Sequence, residues 1–399
     1  MTMTAPAAAP ATQTPPRTHV PRVGLETPAP VPRAGLGAKP AEDRFVVWGA
    51  RIAALALAWV ITQRMLPTPG LGWFLAVFAV MNVAILAVST ALTDNVTVVK
   101  DRIAQWVISA GALVVFLALF STVFFVFHRG WHALTHWNFF FDDMTGVGPS
   151  DPLDKGGILH AIIGTLIEIA IAVAITLPLG VGTAIFMTEV GGRFAKVVRT
   201  VVEAMTALPS IVAGLFIYTT LIIALGVPRS GLAAGMAISV MMLPIIARAS
   251  DVVLRVVPGG LREASLALGA SRWKTVWNVV LPTARPGLAT ALILGVARGI
   301  GETSPVLITS GAASFVVTDP TQGVMNSLPL YIFSTVRSGV PVAIERAFGT
   351  ASVLLVLVLV LFIVARLLAR PAGTRPGVVT RLRRALAGRG TSKSKERAA

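Results

Sequence analysis

An all-α polytopic membrane fold is predicted from three observations. Of the 399 residues, 55% are apolar and only 13% are charged, and the mean hydropathy is +0.78, more than a water-soluble core needs. Eight apolar runs are long enough, at about 20 residues each, to cross a bilayer as helices. Lysine and arginine gather in alternate connections between the runs, as cytoplasmic loops require. The absence of cysteine excludes disulfides, thiolate metal sites and cysteine nucleophiles. The formal charge of +16 resides in tails and short loops rather than on a folded basic domain, so membrane topology explains it and nucleic-acid binding does not.

Taken in order, residues 1–43 are rich in Ala, Pro and Thr with scattered Arg17, Arg22, Arg33 and Lys39, and are expected to form a disordered cytoplasmic tail. The tail lacks the short apolar core of a secretory signal, so the first apolar run is expected to be an uncleaved anchor. The runs are 45–65, 71–92, 103–127, 157–187, 201–225, 231–247, 286–308 and 348–368. With the N-terminal tail in the cytoplasm, Lys100 and Arg102, then Arg193, Lys196 and Arg199, then residues 258–286, and finally the basic C-terminal tail all fall on that side. A multi-pass protein of the cell membrane with both termini cytoplasmic is expected. The pair of helices in 44–102 precedes a larger domain, 103–370. The tail, 371–399, carries eight Lys and Arg from Arg375 to Arg397 and no aromatic residue. It is expected to lie against anionic lipid or to be solvated.

Residues 258–286 form a polar interruption between two apolar runs. After Pro258, Leu261, Ala264 and Leu268 recur at helical spacing, Gly269 suits the left-handed closure of a helix, and Ser271 suits an N-cap. A helix, a tight turn and a second helix follow, the second expected to stop at Leu281-Pro282 and hand over at Pro286 to the next span. The order Glu263-Ala264-Ser265, three residues, Gly269, nine residues, Val279-Val280-Leu281-Pro282 resembles the coupling loop of ABC importer permeases, with Ser265 in place of an alanine and Val279 in place of an isoleucine. The resemblance implies that Glu263, Ala264, Gly269, Leu281 and Pro282 belong to a loop that docks into a separate cytoplasmic ATPase. Without it, the same stretch reads as a surface helical hairpin.

Further motifs narrow the resemblance. Residues 207–216 (ALPSIVAGLF), 297–307 (ARGIGETSPVL) and 326–329 (NSLP) are similar to the PstA-type permeases of phosphate importers, over about 103–370. The family implies a six-helix permease core, here preceded by an extra helix pair. It also implies a heterodimer with a PstC-type permease, two ATPase subunits that use ATP-Mg, and an extracytoplasmic phosphate-binding protein. This chain has no Lys after a Gly, hence no P-loop, and cannot hydrolyse ATP by that route. A transporter subunit without a cofactor is expected, not an enzyme.

Arg298 and Glu302 are four apart in an apolar run and would share a helix face. Each costs roughly 2.5–3.5 kcal/mol at mid-membrane, so they are expected to face the interior or a pathway, either as a structural ion pair or as an anion path. Glu168, mid-run, either pairs with Arg298 or hydrogen-bonds between helices in protonated form. Pro178, Pro209, Pro244 and Pro305 interrupt predicted spans, as kinks or as bends around a central path. Pro209-Ser210 and Gly301 are candidates for exposing backbone amides to an anion. His128, His132 and His136 with Asp142 and Asp143 have metal-like spacing, yet Trp131 and Trp137 mark an outer interfacial helix with solvated histidines, and no metal is expected. A gradient-driven transporter with Glu168 and Glu302 as proton carriers is the competing class, and the coupling loop argues against it.

Overall fold

The structure, a computed structural model, describes residues 41–65, 70–92 and 95–369. The expected tails therefore lie outside the described residues, except that 41–43 open the first helix. Among the described residues every regular element is helical. The chain forms two compact units, Met1–Phe116 and Leu117–Ala399.

In the first unit, α1 (Ala41–Val60) continues through a wide π turn, Ile61–Met65, and α2 spans Leu71–Ala91. Ala50, Ala54 and Ala58 recur every four residues on α1 and are buried, and α1 packs on α2. Such small side chains let apolar helices approach closely where no hydrophobic effect drives them together. The third helix, α3 (Val96–Leu134), passes from the first unit into the second.

The second unit then comprises α4 (Asn138–Phe141), α5 (Leu159–Ile185, widened into a π turn at Phe186–Val190), α6 (Gly192–Thr206), α7 (Ser210–Ile217, widened at Tyr218–Ala224) and α8 (Gly231–Val256). These are followed by α9 (Gly259–Ala267), α10 (Arg272–Thr275), α11 (Leu281–Ile300), α12 (Ser304–Thr309), α13 (Leu328–Val336) and α14 (Pro341–Leu368). Its centre is α8, packed on both α5 and α11. Ile169 and Ala172 of α5, Ile238, Met242 and Ile246 of α8, and Ile300 of α11 share one buried cluster. A Cβ at Gly295 would lie 2.5 Å from the Ile246 side chain and one at Gly299 2.5 Å from Met242 sulfur. Those two glycines therefore set the α8–α11 distance.

Six helices among the described residues are long and apolar enough to cross a membrane, and a bent pair makes a seventh if it counts as one span. Of the eight expected runs, 45–65 does form a helix, but α1 carries Glu42, Asp43, Arg44 and Arg51 within its twenty residues and is not among the six. The run 201–225 is corrected: it is not one straight helix. The helices on either side of 207–209 meet at 106°. Pro209, with no N–H to give and an extended ψ of 139°, ends α6 and starts α7. Pro178 and Pro244 lie inside continuous helices, whereas Pro305 opens α12.

A second correction concerns Leu281-Pro282. The helix does not stop there, but runs from Arg272 to Ile300 over 29 residues. The turn just before the proline, Val276–Val280, is wound as a π turn. This shifts the hydrogen-bond register so that Pro282 occupies the first turn of the next α segment, where a missing N–H costs least.

Candidate functional site

At one end of the second unit, α9 and α10 form the expected hairpin. Gly269 adopts φ +82°, its N–H reaching Leu266 O at 2.9 Å, and only glycine takes that backbone without strain. The Ser271 hydroxyl accepts from Lys274 N at 3.4 Å. Ser265, standing where the resembled pattern has alanine, bonds Thr275 across the hairpin at 2.9 Å. Glu263, Ala264 and Gly269 are exposed, and Leu268 is 90% exposed. Leu281 is half-buried and Pro282 exposed, one helix further on.

Arg262 fixes this hairpin to the body. Its guanidinium donates to Glu189 Oε1 from Nε at 3.1 Å and Nη2 at 2.9 Å, to Val257 O at 2.7 Å and to Leu254 O at 2.8 Å. The two carbonyls belong to the end of α8, where a cation is favoured by the helix dipole, and Glu189 belongs to the π turn that closes α5. One side chain thus ties α9 to α5 and α8. Nearby, Asp251 accepts from Arg199 of α6 at 3.3 Å and pairs with Arg255 at 3.0 Å. Neither cluster was singled out in the sequence: Glu189 and Arg262 are 73 residues apart and no local pattern joins them.

Arg298 and Glu302 do meet, at 3.6 Å. Glu302 lies just past α11, where tightened bonds from Gly301 N to Arg298 O and from Glu302 N to Gly299 O, both 3.2 Å, keep it beneath the last turn. Their environments differ: the Arg298 side chain is 56% exposed on this chain and that of Glu302 13%. Ser210, half-buried, begins α7 one turn before Gly214, whose Cβ would lie 2.7 Å from Pro305 Cα. Gly214 of α7 and Pro305 of α12 thus pack closely, with Ser210 one turn before the first and Glu302 three residues before the second.

Glu168 stands apart from them. It is 1% exposed, makes no ion pair among the described residues, and leaves Oε1 without a partner, while Ser310 lies within hydrogen-bonding reach of its carboxyl. Of the two alternatives for Glu168, the geometry carries interhelical hydrogen bonding and not a pair with Arg298. Ser310 in turn donates to Met325 O at 2.6 Å, and Leu328 N donates to Thr165 Oγ1 at 2.8 Å. Residues 325–328 are thereby stitched into α5. His132 Nδ1 lies 3.6 Å from Glu345 Oε2, and the described residues contain no cluster of three metal-ligating side chains.

The profile of the family described as "Binding-protein-dependent transport system inner membrane component" matches residues 176–372. The phosphate transport system permease protein PstA 1 of Mycobacterium tuberculosis (strain CDC 1551 / Oshkosh) is 36% identical over 261 residues, 65% of this chain and 85% of that protein. The chain belongs to the PstA-type permeases of this family. PstA of Mycobacterium leprae (strain TN) is 35% identical over 261 residues, 65% of this chain and 85% of its own length. PstA of Pasteurella multocida (strain Pm70) is 34% identical over 218 residues, 54% of this chain and 77% of its own. As a PstA-type permease the chain is a transporter subunit and not itself an enzyme. Ser210, the hairpin, Arg298 and Glu302 fall within the matched family region, and Glu168 precedes it.

Proposed function

We propose that this chain forms, with a PstC-type permease, the path by which inorganic phosphate enters the cytoplasm. One of two ATPase subunits, which use ATP-Mg, docks on the exposed face of α9 and α10, and an extracytoplasmic phosphate-binding protein delivers the anion. Both termini lie on the ATPase side.

The observation that carries the reading is the Arg298–Glu302 pair. A guanidinium in the last turn of a spanning helix that is 56% exposed on the isolated chain is costly against lipid, so its face belongs to a water-filled path or a partner permease. Arginine suits an oxyanion there because it remains charged and offers two parallel N–H groups. Glu302 holds the fork in place and limits its charge, so that phosphate is bound without being trapped. Ser210, at the start of α7, adds a hydroxyl and the first amides of that helix.

The test measures phosphate uptake and subunit recovery for Arg298→Gln, Glu302→Gln and the double variant. Arg298→Gln is expected to abolish uptake while the complex still assembles, and Arg298→Lys to restore it in part, because lysine lacks the planar fork. Near-normal uptake by the double variant would make the pair a packing device and place the anion path elsewhere.

A further inference from the structure

The uncharged stretch of α8 ends at Ala247 and is followed by Arg248, Asp251 and Arg255, the change of side chains that marks a membrane boundary. Helix α6 lies at that level, because Arg199 Nη2 meets Asp251 Oδ1 at 3.3 Å. At residues 207–209 the chain turns through 106°. Beyond the turn α7 packs on α8, and only residues 225–230 separate its widened end from the first residue of α8. The segment 210–224 therefore runs back along a spanning helix, and α6, slightly more than a right angle away from it, lies close to the membrane plane.

The three faces of this helix suit that position. Ala195 and Val202, seven residues apart and so on one side, are buried against the protein. Phe194, Val197 and Val201 form a second stripe, each more than half exposed, which Leu208 continues just past the helix. Lys196, Thr200 and Glu203 are exposed on the remaining side, and the exposed Arg193 borders the stripe. Arg193 and Lys196 face no carboxylate partner among the described residues, whereas Arg199 is taken up by Asp251. A helix with an uncovered apolar stripe and unpaired cations beside it, lying in the membrane plane at the level of the boundary, has the form of an interfacial helix.

We propose that α6 lies in the bilayer leaflet on the side of the α9–α10 hairpin, with Phe194, Val197 and Val201 among the acyl chains and Arg193 and Lys196 at the phosphates of anionic lipid. The cations select the occupant: they complement the charge of lipid headgroups at the depth where headgroups lie. Lipid bound there bears on the coupling apparatus. Glu189, three residues before α6 begins, is the carboxylate that accepts from Arg262 of α9, so the leaflet braces the end of α5 to which the hairpin is tied. The inference is independent of which anion the permease carries.

The absence of cysteine from the chain permits site-directed spin labelling within a complex whose other subunits have been freed of cysteine. Single labels are placed through Phe194→Cys, Val197→Cys and Val201→Cys, and for comparison through Lys196→Cys, Thr200→Cys and Glu203→Cys. All six positions are exposed and tolerate the change. In phosphatidylcholine nanodiscs, collisions with oxygen, which concentrates in lipid, are measured against collisions with a nickel chelate, which stays in water. The oxygen-to-nickel ratio is expected to be about fivefold higher at the first three positions than at the second three. Adding phosphatidylglycerol is expected to raise it further at the first three, and to have no effect in a chain that also carries Arg193→Gln and Lys196→Gln. Labels at 194, 197 and 201 shielded from both reagents would assign the stripe to a protein partner, and labels open to nickel would assign it to water; either result overturns the proposal. A phosphatidylglycerol response that is absent from the parent chain, or that survives loss of both cations, overturns the pairing of Arg193 and Lys196 with lipid phosphate.

Discussion

Replacing Arg262 with methionine keeps the aliphatic stem and removes the side-chain hydrogen bonds by which it ties α9 to α5 and α8. The pair with Glu189 is 22% and 16% exposed on its two side chains, so solvent screens it only in part, and about 1 kcal/mol is a fair share for it. The bonds to Leu254 O and Val257 O, at 2.8 and 2.7 Å, contribute about 1 kcal/mol each. A loss of about 3 kcal/mol follows, close to a hundredfold in the equilibrium for local opening. The assay is hydrogen exchange of the α9 amides in the assembled complex. Exchange is expected to quicken about a hundredfold in Arg262→Met and about tenfold or less in Glu189→Gln, which spares the carbonyl bonds. Phosphate uptake should fall while the ATPase still co-purifies. Exchange within about threefold of wild type in Arg262→Met would show that the hairpin is held by other contacts and refute the clamp.

Glu263→Arg and Gly269→Val should each abolish ATPase co-purification without loss of membrane insertion, the first by reversing charge on the exposed face and the second by forcing a β-branched residue to φ +82°; retained co-purification and uptake would remove the docking assignment. Glu168→Gln should leave subunit recovery and thermal stability within about 1 kcal/mol of wild type, because no ion pair is broken; a large loss would reveal a charged partner. Gly164→Val should reduce recovery of folded chain, since its Cβ would overlap the Asn326 carbonyl, measured by size-exclusion yield. Backbone N–H groups, Thr145 first and Val316 also, hold the Asp143 carboxyl below its usual range. That contribution is complete above the ordinary carboxylate value of about 4 and is lost as pH falls through the lowered one. Proteolysis of the 142–157 loop should therefore rise in acid, and Asp143→Asn should remove the pH dependence.

The helical class, the hairpin with Gly269 and Ser271, and the meeting of Arg298 with Glu302 were all legible in the sequence, because each rests on composition or on spacing within a few residues. What escaped depends on register or on distance along the chain. Pro282 looked like a terminator because a proline removes one donor; the π turn at Val276–Val280, which makes the proline harmless, has no sequence mark of its own. Pro209 was marked as a kink or bend, but the size of its break, 106°, could not be read from apolar residues on both sides of it. Arg262 was passed over beside the more familiar Glu263, since its partner Glu189 lies on a different helix.

The helix from Arg272 to Ile300 makes the α9–α10 hairpin and Arg298 two points on one beam. Twenty-six residues at about 1.5 Å each place them about 39 Å apart. A swing of about 10° around the hairpin end carries the guanidinium sideways by about 7 Å at that length. That exceeds the reach of its 3.6 Å contact with any group that stays behind. Glu302, just past the tip, travels with it. In such a swing the pair would move as one passenger, while Glu168, in α5 beside Ser310, would stay with the frame. Gearing of this kind needs no relay of side chains through the bundle, only a stiff shaft whose compliant points, the Val276–Val280 turn and Pro286, lie toward the pivot.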